Sequence, residues 1–69
     1  KMKLTLKACR INVKVNAKEM GQAIGVSEST IYNWESGKYA PKRKHLPNIL
    51  NFFEEKGMHI SMDDINFLP

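Results

Sequence analysis

Residues 17–41 read AKEMGQAIGVSESTIYNWESGKYAP, and this stretch decides the fold. Asn16 stands just before it, and Asn16-Ala17-Lys18-Glu19 has the form of a capping box with Asn in place of Ser or Thr. The Asn16 side chain can accept from the Glu19 amide, and the Glu19 carboxylate can reach back to the Asn16 amide. Met20, Ala23 and Ile24 then supply an apolar stripe. Gly25 ends this helix, because glycine takes the left-handed conformation without a Cβ penalty. Only Val26 precedes a second cap, Ser27, followed by Glu28, whose charge suits a helix N-terminus. Ile31, Trp34 and Glu35 recur at i, i+3, i+4, and Gly37 stops the second helix. Two helices joined by so short a turn form a helix-turn-helix, here over about residues 17–36. A tiny residue at Gly21 lets the second helix pack closely, while glycine in place of alanine weakens the first by about 0.5–1 kcal/mol.

The flanks extend the helical pattern. Residues 4–13, LTLKACRINV, place Leu6, Cys9 or Arg10, and Val13 at helical spacing. The opening KMKLTLK also alternates as a strand would, but a lone strand in so short a chain has no partner, so a helix is expected. On the other side, residues 38–44 form a basic loop, KYAPKRK. A third capped segment is expected from Lys44 to Lys56, with Leu46, Ile49, Leu50 and Phe53 on one face and Pro47 tolerated in the first turn. Gly57 closes it. Ser61-Met62-Asp63-Asp64 then resembles an N-cap with acidic first-turn residues, leading through Ile65 to Phe67 in a short fifth helix. The expectation is an all-α domain of four to five helices spanning residues 1–69. Met58, Ile60, Met62, Ile65, Phe67 and Leu68 make the tail, residues 57–69, apolar enough to complete the core or form a dimer contact.

Composition narrows the function. Sixty-nine residues suffice for one small core, and 42% hydrophobic with 26% charged residues fits a globular domain rather than a disordered tail. No apolar run is long enough to span a membrane, and no signal segment is expected. Cys9 is the lone cysteine, so no internal disulfide forms, and with only His45 and His59 beside it no metal cage is expected. A buried, inert thiol is the default for Cys9, and the cytoplasm is the expected compartment. The net charge is +4, unevenly distributed. Residues 1–44 hold ten Lys and Arg against Glu19, Glu28 and Glu35, a balance of +7. Residues 45–69 hold Lys56 against Glu54, Glu55, Asp63 and Asp64, a balance of −3. A basic front and an acidic back suit a polyanion on one side.

The 17–41 stretch as a whole resembles the lambda-repressor-like, XRE (Cro-type) family of phage and bacterial DNA-binding domains. IYNWESGKYAP is similar to the family's apolar-x-x-apolar-Glu-x-Gly-basic-x-x-Pro run after the recognition helix. Arg10 and Glu35 match a recurrent Arg/Glu pair between the first and third helices, which implies a structural ion pair. The resemblance covers about residues 4–56. It departs at Gly21 and Lys14, where Ala and Gly are usual. If the first helix ends in a left-handed residue at Lys14, that residue is strained; Asn12 is the alternative.

The resemblance implies which face meets DNA. At 100° per residue from Ile31, the residues Ser27, Trp34 and Glu35 form an inner face, and Glu28, Ser29, Tyr32 and Asn33 an outer one. In a helix-turn-helix the outer face enters the major groove. The base-reading candidates are Glu28, Ser29, Thr30, Tyr32 and Asn33. Asn33 can bond adenine bidentately, and Glu28 can either accept from a cytosine N4 or simply complement the helix dipole. The phosphate candidates are Asn16 and Ser27 at helix N-termini, and Lys38, Tyr39, Lys42, Arg43 and Lys44 in the loop. His45 suits a phosphate or a bare surface position, and Trp34 suits the core.

The expected function is sequence-specific binding of double-stranded operator DNA by a transcriptional regulator, with a possible homodimer. No enzymatic activity, cofactor, membrane or small-molecule substrate is implied. Two alternatives stand beside it. One is a protein-interaction or antitoxin-type module on the same fold; the other is the DNA-binding fragment of a larger regulator.

Overall fold

The computed structural model describes residues 4–66. In order, the elements are β1 (Leu4–Thr5), α1 (Leu6–Asn12), α2 (Ala17–Ile24), α3 (Glu28–Glu35), a 3-10 turn (Arg43–His45), α4 (Leu46–Glu55), a second 3-10 turn (Met62–Asp64) and β2 (Ile65–Asn66). Four helices surround a core of Leu6, Cys9, Met20, Ile31, Trp34, Ile49, Phe52, Phe53 and Ile65 with neighbouring small residues.

The first correction lies at the N-terminus. Leu4 and Thr5 are a strand, paired in parallel with β2 in the register Leu4 to Ile65 and Thr5 to Asn66. The partner lies some sixty residues downstream, where local sequence gives no sign of it. Thr5 also caps α1, its hydroxyl accepting from the Ala8 amide at 3.1 Å. Leu6, Cys9 and Arg10 are the buried face of α1.

α1 ends in a reversal that falls on Lys14, not Asn12. Lys14 has φ +60° and Asn12 stays helical. The amides of Lys14 and Val15 return to the carbonyls of Ile11 and Arg10, at 3.0 and 3.4 Å, so the left-handed residue must sit at position 14.

α2 begins at Asn16, whose side-chain oxygen accepts from the Glu19 amide at 2.7 Å. The Glu19 carboxylate does not return to the cap; it lies 3.8 Å from Lys56 Nζ. The buried stripe is Ala17, Met20, Gly21 and Ile24, and Ala23 faces solvent. Gly25 has φ +93°, and the amides of Gly25 and Val26 both donate to the Gly21 carbonyl at 2.8 Å. A Cβ on Gly21 would stand 2.7 Å from the Val26 carbonyl oxygen, so glycine there is what allows the turn to lie against the helix.

The later elements differ in their ends. The segment expected from Lys44 to Lys56 is a 3-10 turn feeding α4, with Pro47 in its first turn. Ile49, Phe52 and Phe53 are buried; Phe52 and Phe53 meet edge to face at 5.4 Å. The short fifth helix is instead the 3-10 turn at residues 62–64. The Ser61 amide and hydroxyl both donate to Asp64 Oδ2, at 2.9 and 3.3 Å, and the chain then leaves as β2 rather than continuing helically. Within the tail, Ile65 is buried and Met58 and Ile60 pack against the core. Phe67 and Leu68 lie outside the described residues.

A candidate nucleic-acid interface

α3 owes its position to both ends and its inner face. Ser27 caps it, accepting from the Thr30 amide at 3.1 Å, and the Ser27 and Thr30 hydroxyls are 2.9 Å apart. At the other end the amides of Gly37 and Lys38 return to the Trp34 and Asn33 carbonyls at 3.3 and 3.0 Å. That arrangement is a Schellman motif, and Gly37 at φ +78° supplies its left-handed residue. Ile31 and Trp34 are buried beneath.

A buried ion pair ties this helix to α1. Arg10 Nε and Nη2 both donate to the Glu35 carboxylate, the second at 3.2 Å, and Nη1 donates to the Val15 carbonyl at 3.0 Å. The Glu35 side chain is only 5% exposed. The bond to Glu35 raises the Arg10 pKa above its ordinary value against the opposing effect of burial, and the negative charge of Glu35 and the Tyr32 group add to the rise. Three donors of one guanidinium thus hold α1, its terminal reversal and the last turn of α3 in one arrangement.

The outer face is polar and open. Glu28, Ser29 and Tyr32 are exposed, and Asn33 is half-buried. The Tyr32 hydroxyl lies 3.4 Å from Glu28 Oε2, toward which it donates across one helical turn. Asn33 Nδ2 donates to the Tyr39 hydroxyl at 2.8 Å. Thr30 departs from this face: it is half-buried, bonded to the cap and turned toward a neighbouring cleft. Ser27, placed on the inner face by its helical angle, is exposed, because a cap residue lies outside the helical geometry.

The cleft adjoins α3 on the side of the basic loop. Its volume is about 340 Å³, and Thr30, Trp34, Tyr39, Lys42, Lys44 and His45 are among the residues lining it. His45 packs on Trp34 with ring centroids 5.5 Å apart. Lys38, Tyr39, Lys42, Arg43 and Lys44 are all exposed, so the loop carries four cations beside the C-terminal end of α3. Asn16 and Ser27 remain exposed at the N-termini of α2 and α3, with their side-chain oxygens already engaged by Glu19 and Thr30 amides. Basic loop and cleft adjoin through Tyr39, Lys42 and Lys44, and the bond from Asn33 to Tyr39 links the polar face of α3 to the loop.

The family model of the HTH_3 helix-turn-helix matches residues 6–59. The chain belongs to this family. An HTH_3 domain is a DNA-binding helix-turn-helix of the lambda-repressor-like kind, and the four-helix arrangement here agrees with it. No curated protein and no solved structure matches the chain. Among the described residues no helix is long and apolar enough to cross a membrane.

Three features of this HTH_3 domain were missed by reading the sequence. They are the cleft, the tilted contact of His45 with Trp34, and the bond from Asn33 to Tyr39. No spacing rule links positions 33 and 39 once the chain has left the helix.

Proposed function

We propose that the domain binds double-stranded DNA sequence-specifically as a transcriptional regulator, with α3 in the major groove. One observation carries this reading: Glu28, Ser29, Tyr32 and Asn33 share the solvent face of a helix whose opposite face, Ile31 and Trp34, is locked into the core. Such a helix presents donors and acceptors without having to reorganise. Ser29 is short and open, able to meet a base edge or a phosphate. Asn33 carries the donor–acceptor pair that adenine accepts bidentately. Lys38, Lys42, Arg43 and Lys44 neutralise backbone phosphates, which supplies affinity and register but no sequence information. The reading involves no chemical step. A regulator of this kind acts at an operator by blocking or assisting polymerase, and a homodimer would place half-sites about one helical turn apart.

The test is selection of bound duplexes from a random pool by the purified chain at physiological salt. A reproducible consensus supports the reading, and a palindrome adds a dimer. Binding that only decays with salt and enriches no sequence overturns it, and points instead to a protein-interaction role for the fold.

A further inference from the structure

Asn33 and Tyr39 are six residues apart, yet their side chains meet. The Schellman turn at Gly37 reverses the chain after α3 and brings Tyr39 back over the last turn of the helix. The Tyr39 hydroxyl there accepts a 2.8 Å bond from Asn33 Nδ2. The Tyr39 ring stays half open, lines the cleft beside Trp34, and leaves the hydroxyl proton free to be donated elsewhere.

An asparagine amide is nearly symmetric in shape but not in chemistry. Rotation about its broad terminal torsion exchanges an acceptor for a donor at little steric cost. Adenine requires one order of the two, a donor toward N7 and an acceptor toward N6. The Tyr39 hydroxyl can follow either order, accepting from Nδ2 or donating to Oδ1, so it restrains where the amide sits before any base arrives and leaves its order to the base. Asn33 keeps a second N–H and its oxygen for the base.

We propose that Tyr39 is a positioning residue that sharpens the base preference of Asn33 by holding its side chain in one place beside the last turn of α3. The inference rests on the reading of α3 as the groove-facing helix. It assigns Tyr39 a part in sequence discrimination, whereas a residue that only touches phosphate would act equally on every sequence.

Tyr39→Phe removes the hydroxyl and keeps the ring. The experiment first uses Asn33→Ala to locate the base pair at which preference is lost. Affinities of the parent and of Tyr39→Phe are then measured on the selected duplex and on its three variants at that pair, across a salt series. A bidentate contact discriminates by roughly 5- to 150-fold. Tyr39→Phe is expected to reduce discrimination at that pair several-fold, to leave other pairs unaffected and to keep the salt slope. In the free protein, the Asn33 side-chain amide resonances should shift in Tyr39→Phe while the fold's other amides hold. A uniform loss of affinity on all four duplexes, or discrimination that survives Tyr39→Phe, overturns the inference alone. A parent chain with no preference for any duplex overturns the groove reading, and this inference with it.

Discussion

Replacing Gly21 by alanine sets helix propensity against packing, and the structure says packing wins. Propensity favours alanine in a helix interior by about 1 kcal/mol. Against this, the new Cβ would sit 2.7 Å from the Val26 carbonyl oxygen and 3.3 Å from the Ser27 carbonyl group. Both contacts are shorter than the about 3.5–4.0 Å separation preferred by non-bonded carbons. The obstacle is backbone, so no side chain can swing aside. The turn cannot retreat freely either, because the Gly25 and Val26 amides are both bonded to the Gly21 carbonyl at 2.8 Å. Relief means stretching those bonds, each worth about 1 kcal/mol net, or shifting α3 and its Ser27 cap. Overpacking of this kind costs about 1–3 kcal/mol. After the propensity gain, a net loss of up to about 2 kcal/mol is expected, which lowers the Tm by up to roughly 16 °C in a domain of this size. Urea denaturation followed by the fluorescence of Trp34, the chain's one tryptophan and 3% exposed, reads the change directly. Gln22→Ala, on the exposed side of the same helix, is the control. A Gly21→Ala midpoint equal to or above the parent's, with an unchanged slope, would refute the reasoning.

Lys14→Gly should raise the urea midpoint. Lys14 holds φ +60°, which costs an L-residue about 1–2 kcal/mol, while glycine gives back about 0.5–1 kcal/mol through its freer unfolded chain; a lower midpoint would show that Lys14 is unstrained. Arg10→Met should cost about 3–5 kcal/mol by stranding the Glu35 carboxylate and the Val15 carbonyl, against a total of roughly 3–10 kcal/mol for 69 residues. Adding Glu35→Leu to Arg10→Met should recover part of that loss, and strict additivity in the thermal unfolding of the four proteins would count against a coupled pair. Burial, and secondarily the Asp64 carboxylate, push the Cys9 thiol up. The folded state therefore favours the protonated thiol. Its contribution is fully present below the unfolded value of about 8.5 and is lost as pH rises through the folded value. The stability of the parent should accordingly fall more steeply than that of Cys9→Ala at alkaline pH, and parallel curves would exclude the effect.

The family and its central motif were legible in the chain because their signals are local. The Asn16 and Ser27 caps, the left-handed Gly25 and Gly37, and the burial of Ile31 and Trp34 each depend on hydrogen bonds or periodicity within a turn or two of helix. A linear reading captures such terms, since the groups that satisfy one another are neighbours in sequence. The polar outer face of α3 follows from the same periodicity, although Ser27 is exposed where its helical angle suggested the inner face.

Tertiary structure decided whatever joins distant residues. β1 pairs with β2 across some sixty residues, so the strand alternation at Leu4 had no visible partner. Whether Gly21 is a weak point or a requirement depends on how close the Val26 carbonyl comes, a distance set by the packing of α2 on α3. The left-handed residue after α1 fell on Lys14 because the reversal must deliver Asn16 to the start of α2, whatever side chain stands there. Tyr39, read as one more loop residue facing phosphate, meets Asn33 because the chain folds back over the helix it has just left. Local propensity names the elements and their ends; the contacts that orient the candidate reading face arise only when those elements are packed, since they are fixed by distances in space and not by intervals along the chain.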